Sequence, residues 1–186
     1  FEKKKDQYYL IGSLFNANNL IDNLLSDEES SNFLDMDSKV NVNIDKILLD
    51  NEHYVLDFSG DILLKNKEIL YAKLNGDFPD NKKFKFTVNT NDNNKITTLY
   101  VDKAEPIVRK YKFIKGFDEG LLDYNSSKKF NESISQLKIY DFKLKELPVL
   151  TKILTLASLQ GIADILSGEG IRFDELEMNF KNKGNL

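Results

Sequence analysis

Alternation of apolar and polar side chains with a period of two is the feature that most constrains the fold of this chain. In Val40–Asp45, valine and isoleucine alternate with asparagine and aspartate, and in Lys83–Val88, phenylalanine and valine alternate with lysine and threonine. Further alternating runs occupy Tyr54–Phe58, Gly60–Leu64 and Leu70–Leu74, and Ile96–Val101 resembles another strand. Because successive side chains of a strand point to opposite faces, this pattern predicts β-strands with one apolar face.

Turn-forming residues separate these runs at intervals of roughly a dozen residues. They occupy Asp50–Glu52, Lys65–Lys67, Pro79–Asn81 and Asn91–Asn94. Strands that are connected so closely, with no long helix between them, pair as antiparallel neighbours and not as βαβ units. We therefore expect a mainly β fold, with an antiparallel meander over residues 39–101 in one elongated, twisted sheet.

Two segments carry helical periodicity instead. Asp102–Tyr111 begins with Asp and Glu three residues apart, as in a capping box, and its apolar residues then share one helical face. Pro148–Leu166 has a broad apolar face and precedes Gly168, a residue type typical of helix ends. The sequence therefore predicts two helices, the second an amphipathic helix near the C-terminal end of the sheet.

Three further strands are predicted in the C-terminal half, at Leu121–Tyr124, Ser135–Leu144 and Ile171–Phe180. In the last of them the alternation changes face, since Ile171 and Phe173 share one side whereas Leu176 begins a run on the other. A bulge near Asp174 and Glu175 would reconcile the two halves.

The chain ends predict a piece of a longer protein. The sequence does not begin with Met, its first residues lack the apolar stretch of a signal peptide, and Lys183–Asn185 resembles a hairpin turn without its return strand. No apolar run approaches the roughly 20 residues that span a bilayer. We expect a single β-rich unit over 1–186, made of the meander 39–101 and a helix-and-strand segment 102–186.

Composition excludes several function classes. The absence of Cys and the presence of one His among 186 residues exclude a Cys- or His-rich zinc site, a disulfide framework and a thiol nucleophile. A net charge of −4, with lysines mixed among carboxylates, argues against a nucleic-acid surface. We therefore expect no metal, no cofactor and no nucleic-acid partner.

The polar features that resemble active or ligand sites have simpler interpretations. His53 lies in a predicted surface turn with no nucleophile pattern, and Ser167–Gly170 lacks both the nucleophile-elbow and the phosphate-loop spacing. The acidic cluster in Asp174–Glu177 favours a solvated strand face over paired catalytic carboxylates. Asn91–Asn94 lacks the Gly and distal Glu of a calcium loop. The sequence predicts no enzyme activity.

The apolar strand faces have two interpretations. Alternating strands with one amphipathic helix usually form an ordinary core, in which the helix packs on the sheet. Alternatively, part of the apolar face lines a groove for lipid. The residue pattern by itself favours the core.

The residue order of the C-terminal half resembles that of a known family. Ile114–Leu122 and Leu137–Phe142 lead to Leu147–Ile162, which contains Leu-Pro and then Ala-Ser-Leu-Gln-Gly, and to Leu166–Asp174, which reads Leu-Ser-Gly-Glu-Gly-Ile-Arg-Phe-Asp. This order is similar to the AsmA-like C-terminal region of proteobacterial proteins of the AsmA, TamB and YhdP class, most of all to alphaproteobacterial members. The resemblance covers about residues 97–186, although Asp118–Gly120 replaces the usual Gly-Gly after the first helix.

The resemblance implies a long twisted sheet folded into a trough with an apolar interior. Such proteins are anchored in the inner membrane by an N-terminal helix, extend through the periplasm and are implicated in moving phospholipid towards the outer membrane. The implied partners are phospholipid and, through the parent protein, the inner and outer membranes, with no catalytic residue to transfer. The alternative is a structural or interaction module with a filled core that aids outer-membrane assembly.

The candidate lipid-binding residues are apolar side chains of the alternating runs and of the second predicted helix. They are Val40, Val42, Ile44, Leu56, Phe58, Leu70, Leu74, Phe84, Phe86 and Val88 in the meander, and Leu150, Ile153, Leu154 and Ala157 in the helix. The helix either plugs the trough or completes a local core, and the sequence leaves both possibilities open.

Overall fold

The structure, a computed structural model, describes residues 2–4, 7–18, 37–66, 68–110, 116–145 and 170–183. These residues form eleven strands and one short helix. The strands are β1 (Glu2–Lys4), β2 (Gln7–Gly12), β3 (Phe15–Asn16), β4 (Ser38–Leu48), β5 (Tyr54–Lys65), β6 (Glu68–Asp77), β7 (Lys83–Asn91), β8 (Asn94–Val101), β9 (Phe117–Lys129), β10 (Glu132–Leu144) and β11 (Ile171–Lys183). The helix, α1, is Glu105–Lys110 and lies between β8 and β9.

All eleven strands belong to one open, twisted sheet whose order follows the chain. Ten strands run β1-β2-β4-β5-β6-β7-β8-β9-β10-β11, and β3 pairs with β4 beside β2. From β4 to β11 every neighbouring pair is antiparallel. The prediction of a mainly β fold with an antiparallel meander is confirmed for this part of the chain.

The sheet is nevertheless mixed, because β2 and β3 both pair with β4 in parallel. The expectation of an antiparallel sheet is therefore wrong at this edge. More than twenty residues separate β2 from β4 in the chain, and a connection of that length lets the chain return to the same end of the sheet before the next strand begins.

The expectation of two helices is not borne out in the described residues, whose one complete helix is α1. This helix also begins three residues later than the predicted Asp102–Tyr111. It starts later because the Asp102 carboxylate accepts hydrogen bonds from the Lys83 N–H and the Tyr100 hydroxyl, 2.7 and 2.6 Å away, and does not cap the helix. The second predicted helix, Pro148–Leu166, lies outside the described residues.

The C-terminal strands are 13 residues long each, well beyond the predicted bounds. The register between β10 and β11 does not shift from Glu132 opposite Lys183 to Leu144 opposite Ile171, although the Asp141–Asp174 pair is missing, so no extra residue is inserted and the bulge predicted near Asp174 and Glu175 is absent. The change of face in β11 has another cause.

The apolar face changes at one level of β9, β10 and β11, where β9 and β10 contain left-handed backbone. Buried positions jump by three residues from Ile139 to Phe142 in β10, and the half-buried apolar positions of β11 jump likewise from Leu176 to Phe173. At this level Glu119 and Asp141 have φ angles of 63° and 50°. Since neighbouring strands turn at the same level, the register survives.

We call the face that carries Val40, Val42, Ile44, Leu122 and Ile139 the apolar face, and the opposite one the polar face. The end of the sheet at α1 and the Asp50–His53 turn is the helix end. The end at the β7–β8 and β9–β10 turns is the hairpin end. One buried cluster on the apolar face joins β4 to β11 and includes Ala104 and Val108 from α1 and its N-terminal flank.

Candidate functional site

A continuous row of mostly apolar residues crosses the apolar face, and we call it the central row. Its members are Leu10, Val42, Gly60, Leu74, Phe86, Leu99, Tyr124, Leu137 and Met178, each opposite the next on the adjacent strand. Adjacent strands lie about 4.8 Å apart, so eight intervals give a row about 38 Å long. The row therefore offers an apolar path across nine strands.

Burial of the central row changes along its length. Val42 is buried, as are its neighbours Val40 and Ile44, with exposures of 0–4%. From β6 to β11 the side chains of the row are only half-buried. Half-buried apolar side chains in an unbroken row leave apolar surface within reach of a ligand.

Towards the hairpin end, the next row changes from apolar to hydroxyl side chains. It consists of Tyr8, Val40, Ile62, Ala72, Val88, Thr97, Ser126, Ser135 and Phe180. The Ser135 hydroxyl lies 2.8 Å from that of Ser126 and accepts a hydrogen bond from Tyr124 at 3.3 Å. Hydroxyl groups thus flank the central row on β8–β10.

Towards the helix end, aromatic rings fill the apolar face. Phe142 stacks between Phe117 and Phe173, with centroid distances of 5.3 Å on both sides. Gly120, with a φ of 82°, lies beneath this stack, because a Cβ there would come within 3.0 Å of the Phe142 Cβ. This end of the face is a packed core.

An ionic cluster fastens the helix end. His53 is 8% exposed, and its Nδ1 lies 2.8 Å from Asp50 Oδ2 while its Nε2 lies 3.6 Å from Glu105 Oε2. Arg109 Nη2 lies 2.5 Å from Glu105 Oε1, and its Nη1 lies 3.3 Å from Glu52. The cluster joins the β4–β5 turn to α1. His53 does lie in the predicted turn, but it is buried and not on the surface.

The electrostatic environment favours an ionised Asp50. Burial acts to raise the pKa of this carboxyl, but hydrogen bonds from the N–H groups of Glu52 and His53 and from the His53 ring outweigh it, so the pKa lies below its usual value. Loss of this charge would remove the anchor of the turn.

Eight of the ten candidate residues in the meander lie on the apolar face. They are Val40, Val42, Ile44, Phe58, Leu74, Phe84, Phe86 and Val88. Leu56 and Leu70 do not share it. The candidates Leu150, Ile153, Leu154 and Ala157 lie outside the described residues.

Local backbone irregularities explain the two exceptions. Asp57 has a φ of 49°, so the apolar face passes from Phe58 to Val55, and Leu56 pairs instead with Lys46 on the polar face. A register shift between β5 and β6 places Ile69 opposite Leu64, and Ile69 packs against the core in the position expected for Leu70.

The β8–β11 members of the central row are not among the candidate lipid-binding residues predicted from the sequence. Leu99, Tyr124, Leu137 and Met178 continue the path that Phe86 begins. Period-two alternation in their strands was the signal that could have identified them, because it already marked one apolar side in each strand.

Metal and membrane signatures are absent from the described residues. No three His, Asp or Glu side chains there come together as metal ligands. Within the same residues, no helix has the length and hydropathy to cross a membrane.

Comparison with protein-family models, with curated proteins and with solved structures finds no match to this chain.

Proposed function

We propose that this chain is a non-enzymatic segment of an envelope-spanning lipid conduit, whose apolar face carries phospholipid acyl chains between the inner and outer membranes. The proposal includes a periplasmic location within an inner-membrane-anchored protein of the AsmA-like class. The observation that carries it is the central row, which is mostly apolar across nine strands and is half-buried from β6 to β11.

An apolar face would lower the free-energy cost of moving an acyl chain between two membranes. Exposing a chain of about 16 carbons to water costs about 12 kcal/mol, at ~0.8 kcal/mol per methylene. Contact with Leu74, Phe86, Leu99 and Leu137 would replace much of the lost bilayer contact. The head group would remain in solvent or next to the hydroxyl groups of Ser126 and the β8–β10 strands, so no charged pocket is required.

Phospholipid occupancy is the direct test. We expect native mass spectrometry of the chain incubated with phosphatidylglycerol to show a bound lipid, and a lipid carrying a photoreactive acyl chain to crosslink to β7–β10. Phe86→Glu should abolish both signals, because it places a charge in the central row. Lys85→Glu, on the polar face of the same strand, is the matched control and should bind as the unaltered chain does.

Two outcomes would overturn the conduit. One is a chain without any lipid adduct, and the other is crosslinking confined to the polar face. If Phe86→Glu is unfolded by circular dichroism, Leu99→Gln provides the same test with a smaller perturbation.

The rival function is a scaffold with a filled core. The buried Val40, Val42 and Ile44 and the aromatic stack at Phe142 favour it, because these parts of the apolar face have no room for a ligand. A scaffold predicts no lipid adduct and equal behaviour of Lys85→Glu and a folded Phe86 variant.

A further inference from the structure

The β9–β10 turn presents a phenylalanine where neither packing nor backbone geometry favours one. Lys129 pairs with Glu132, so Phe130 and Asn131 form a two-residue turn. Phe130 has a φ of 53° and is 69% exposed. A bulky residue in left-handed backbone is strained, and burial of its ring does not offset the strain here.

The neighbouring β7–β8 turn carries the residue types that are usual where a turn requires positive φ angles. Asn91 pairs with Asn94, and the turn residues Asp92 and Asn93 both have positive φ, 47° and 63°. Asp and Asn tolerate this backbone well, whereas Phe does not. The contrast indicates that the Phe130 ring serves a purpose outside the folding of its own turn.

Exposed apolar side chains surround this turn on the polar face. Ile96 and Ile134, 47% and 58% exposed, both pair with Ser127 of the strand between them. With Phe130, Asn91 and Lys129 they line an open groove of about 1180 Å³. We call this part of the sheet, at the β9–β10 turn, the corner. It combines an exposed aromatic ring with exposed aliphatic side chains.

The same corner is basic in a chain that is acidic overall. Segments 91–95, 128–133 and 181–183 meet there and carry five lysines against two carboxylates, whereas the formal net charge of the chain is −4. Lys95 and Lys183 form ion pairs with Glu68 and Glu132. The remaining lysines, Lys128, Lys129 and Lys181, are exposed.

We propose that this corner docks on an anionic lipid bilayer. Phe130 inserts at the level of the head groups, and the lysines contact the anionic lipid. An exposed aromatic side chain among lysines is the combination that holds proteins at such an interface, where the apolar ring and the positive charges both gain contacts. The proposal rests on the lipid-conduit function for its setting, since a conduit must reach a bilayer to load or release lipid.

Vesicle sedimentation of the full chain tests the docking. We expect binding to vesicles of phosphatidylglycerol and phosphatidylcholine in equal amounts and little binding to phosphatidylcholine alone. Phe130→Gly should weaken binding roughly tenfold, while the melting temperature stays equal or rises because Gly suits a positive φ. Leu14→Gly removes another exposed apolar side chain, far from the corner, and should bind as before.

The lysines are tested separately from the ring. Lys129→Glu and Lys181→Glu should each weaken vesicle binding roughly fivefold, whereas Lys73→Glu, exposed in the middle of the sheet, should not. Equal vesicle binding by Phe130→Gly and the unaltered chain overturns the proposal. So does heparin binding that depends on the lysines while no variant alters vesicle binding, because the corner is then only a basic patch for polyanions.

The docking and the conduit fail by different measurements. Phe130→Gly should retain the lipid adduct seen by mass spectrometry, and folded Phe86→Glu should still sediment with anionic vesicles. Vesicle binding without any lipid adduct would leave the docking intact and remove the conduit. A lipid adduct without vesicle binding would leave the conduit intact and remove the docking.

Discussion

The apolar face is covered differently at the two ends of the sheet. At the helix end, α1, the Phe117–Phe142–Phe173 stack and the His53 cluster enclose the face and fasten it. At the hairpin end, hydroxyl groups replace apolar side chains on β8–β10, and Phe130 is exposed. The apolar face is therefore enclosed at the helix end and bordered by hydroxyl groups on β8–β10 towards the hairpin end.

The largest expected effect is a charge placed in the enclosed region. Ile139→Asp should unfold the chain, costing more than about 4 kcal/mol, because Ile139 is fully buried and the new carboxylate has no partner. Ile134→Asp, five residues earlier on β10 but exposed at the hairpin end, should change the free energy of unfolding by less than about 0.5 kcal/mol. Urea titrations followed by circular dichroism measure both. Equal effects would refute the difference between the enclosed apolar face at Ile139 and the exposed polar face at Ile134.

A side chain at Gly60 should be nearly as damaging. Gly60 has a φ of 151°, and a Cβ there would collide with the backbone oxygen of Lys73 on β6. Gly60→Ala should cost about 3 kcal/mol. Gly12→Ala is the control, because no heavy atom lies within 4 Å of the position that a Cβ at Gly12 would occupy. The melting temperature of this variant should equal that of the unaltered chain.

The ionic cluster should make the helix end sensitive to acid. The folded-state pKa of Asp50 is lowered, so its stabilising effect is fully present above the ordinary value of 3.8 and is lost as the pH falls through the folded pKa. Asp50→Asn should lower stability by about 1–2 kcal/mol at neutral pH and flatten the loss of stability below pH 4. Asp80→Asn, in the exposed β6–β7 turn, is the control and should change the free energy of unfolding at neutral pH by less than about 0.5 kcal/mol. An unaltered acid profile in Asp50→Asn would show that the cluster contributes nothing.

The smallest expected effect is the loss of an ion pair at the hairpin end. Lys183 and Glu132 lie 3.1 Å apart but are both mostly exposed to solvent. Lys183→Ala should therefore lower the free energy of unfolding by less than about 0.5 kcal/mol. A cost as large as that of Asp50→Asn would mean that the hairpin end is fastened as firmly as the helix end.

Periodicity in the sequence was sufficient to predict the strands of the meander and eight residues of the apolar face. It failed where single residues adopt left-handed backbone, as at Asp57, because the next side chain then points to the face opposite to the one that strict alternation assigns. It also failed for the β2–β4 pairing, since the residues of a strand do not encode the direction of its neighbour. The buried position of His53 depends on Glu105, more than fifty residues away.

Coordinated left-handed backbone in β9 and β10 has a consequence for how this part of the chain can change. A residue deleted from β10 would move the turn at Asp141 out of step with Glu119 on one side and with the change of face in β11 on the other. Only matched changes in all three strands would keep their apolar side chains on a common surface. We therefore expect β9, β10 and β11 to tolerate insertions and deletions only when all three strands change together. They could be exchanged between related chains as a block but not strand by strand.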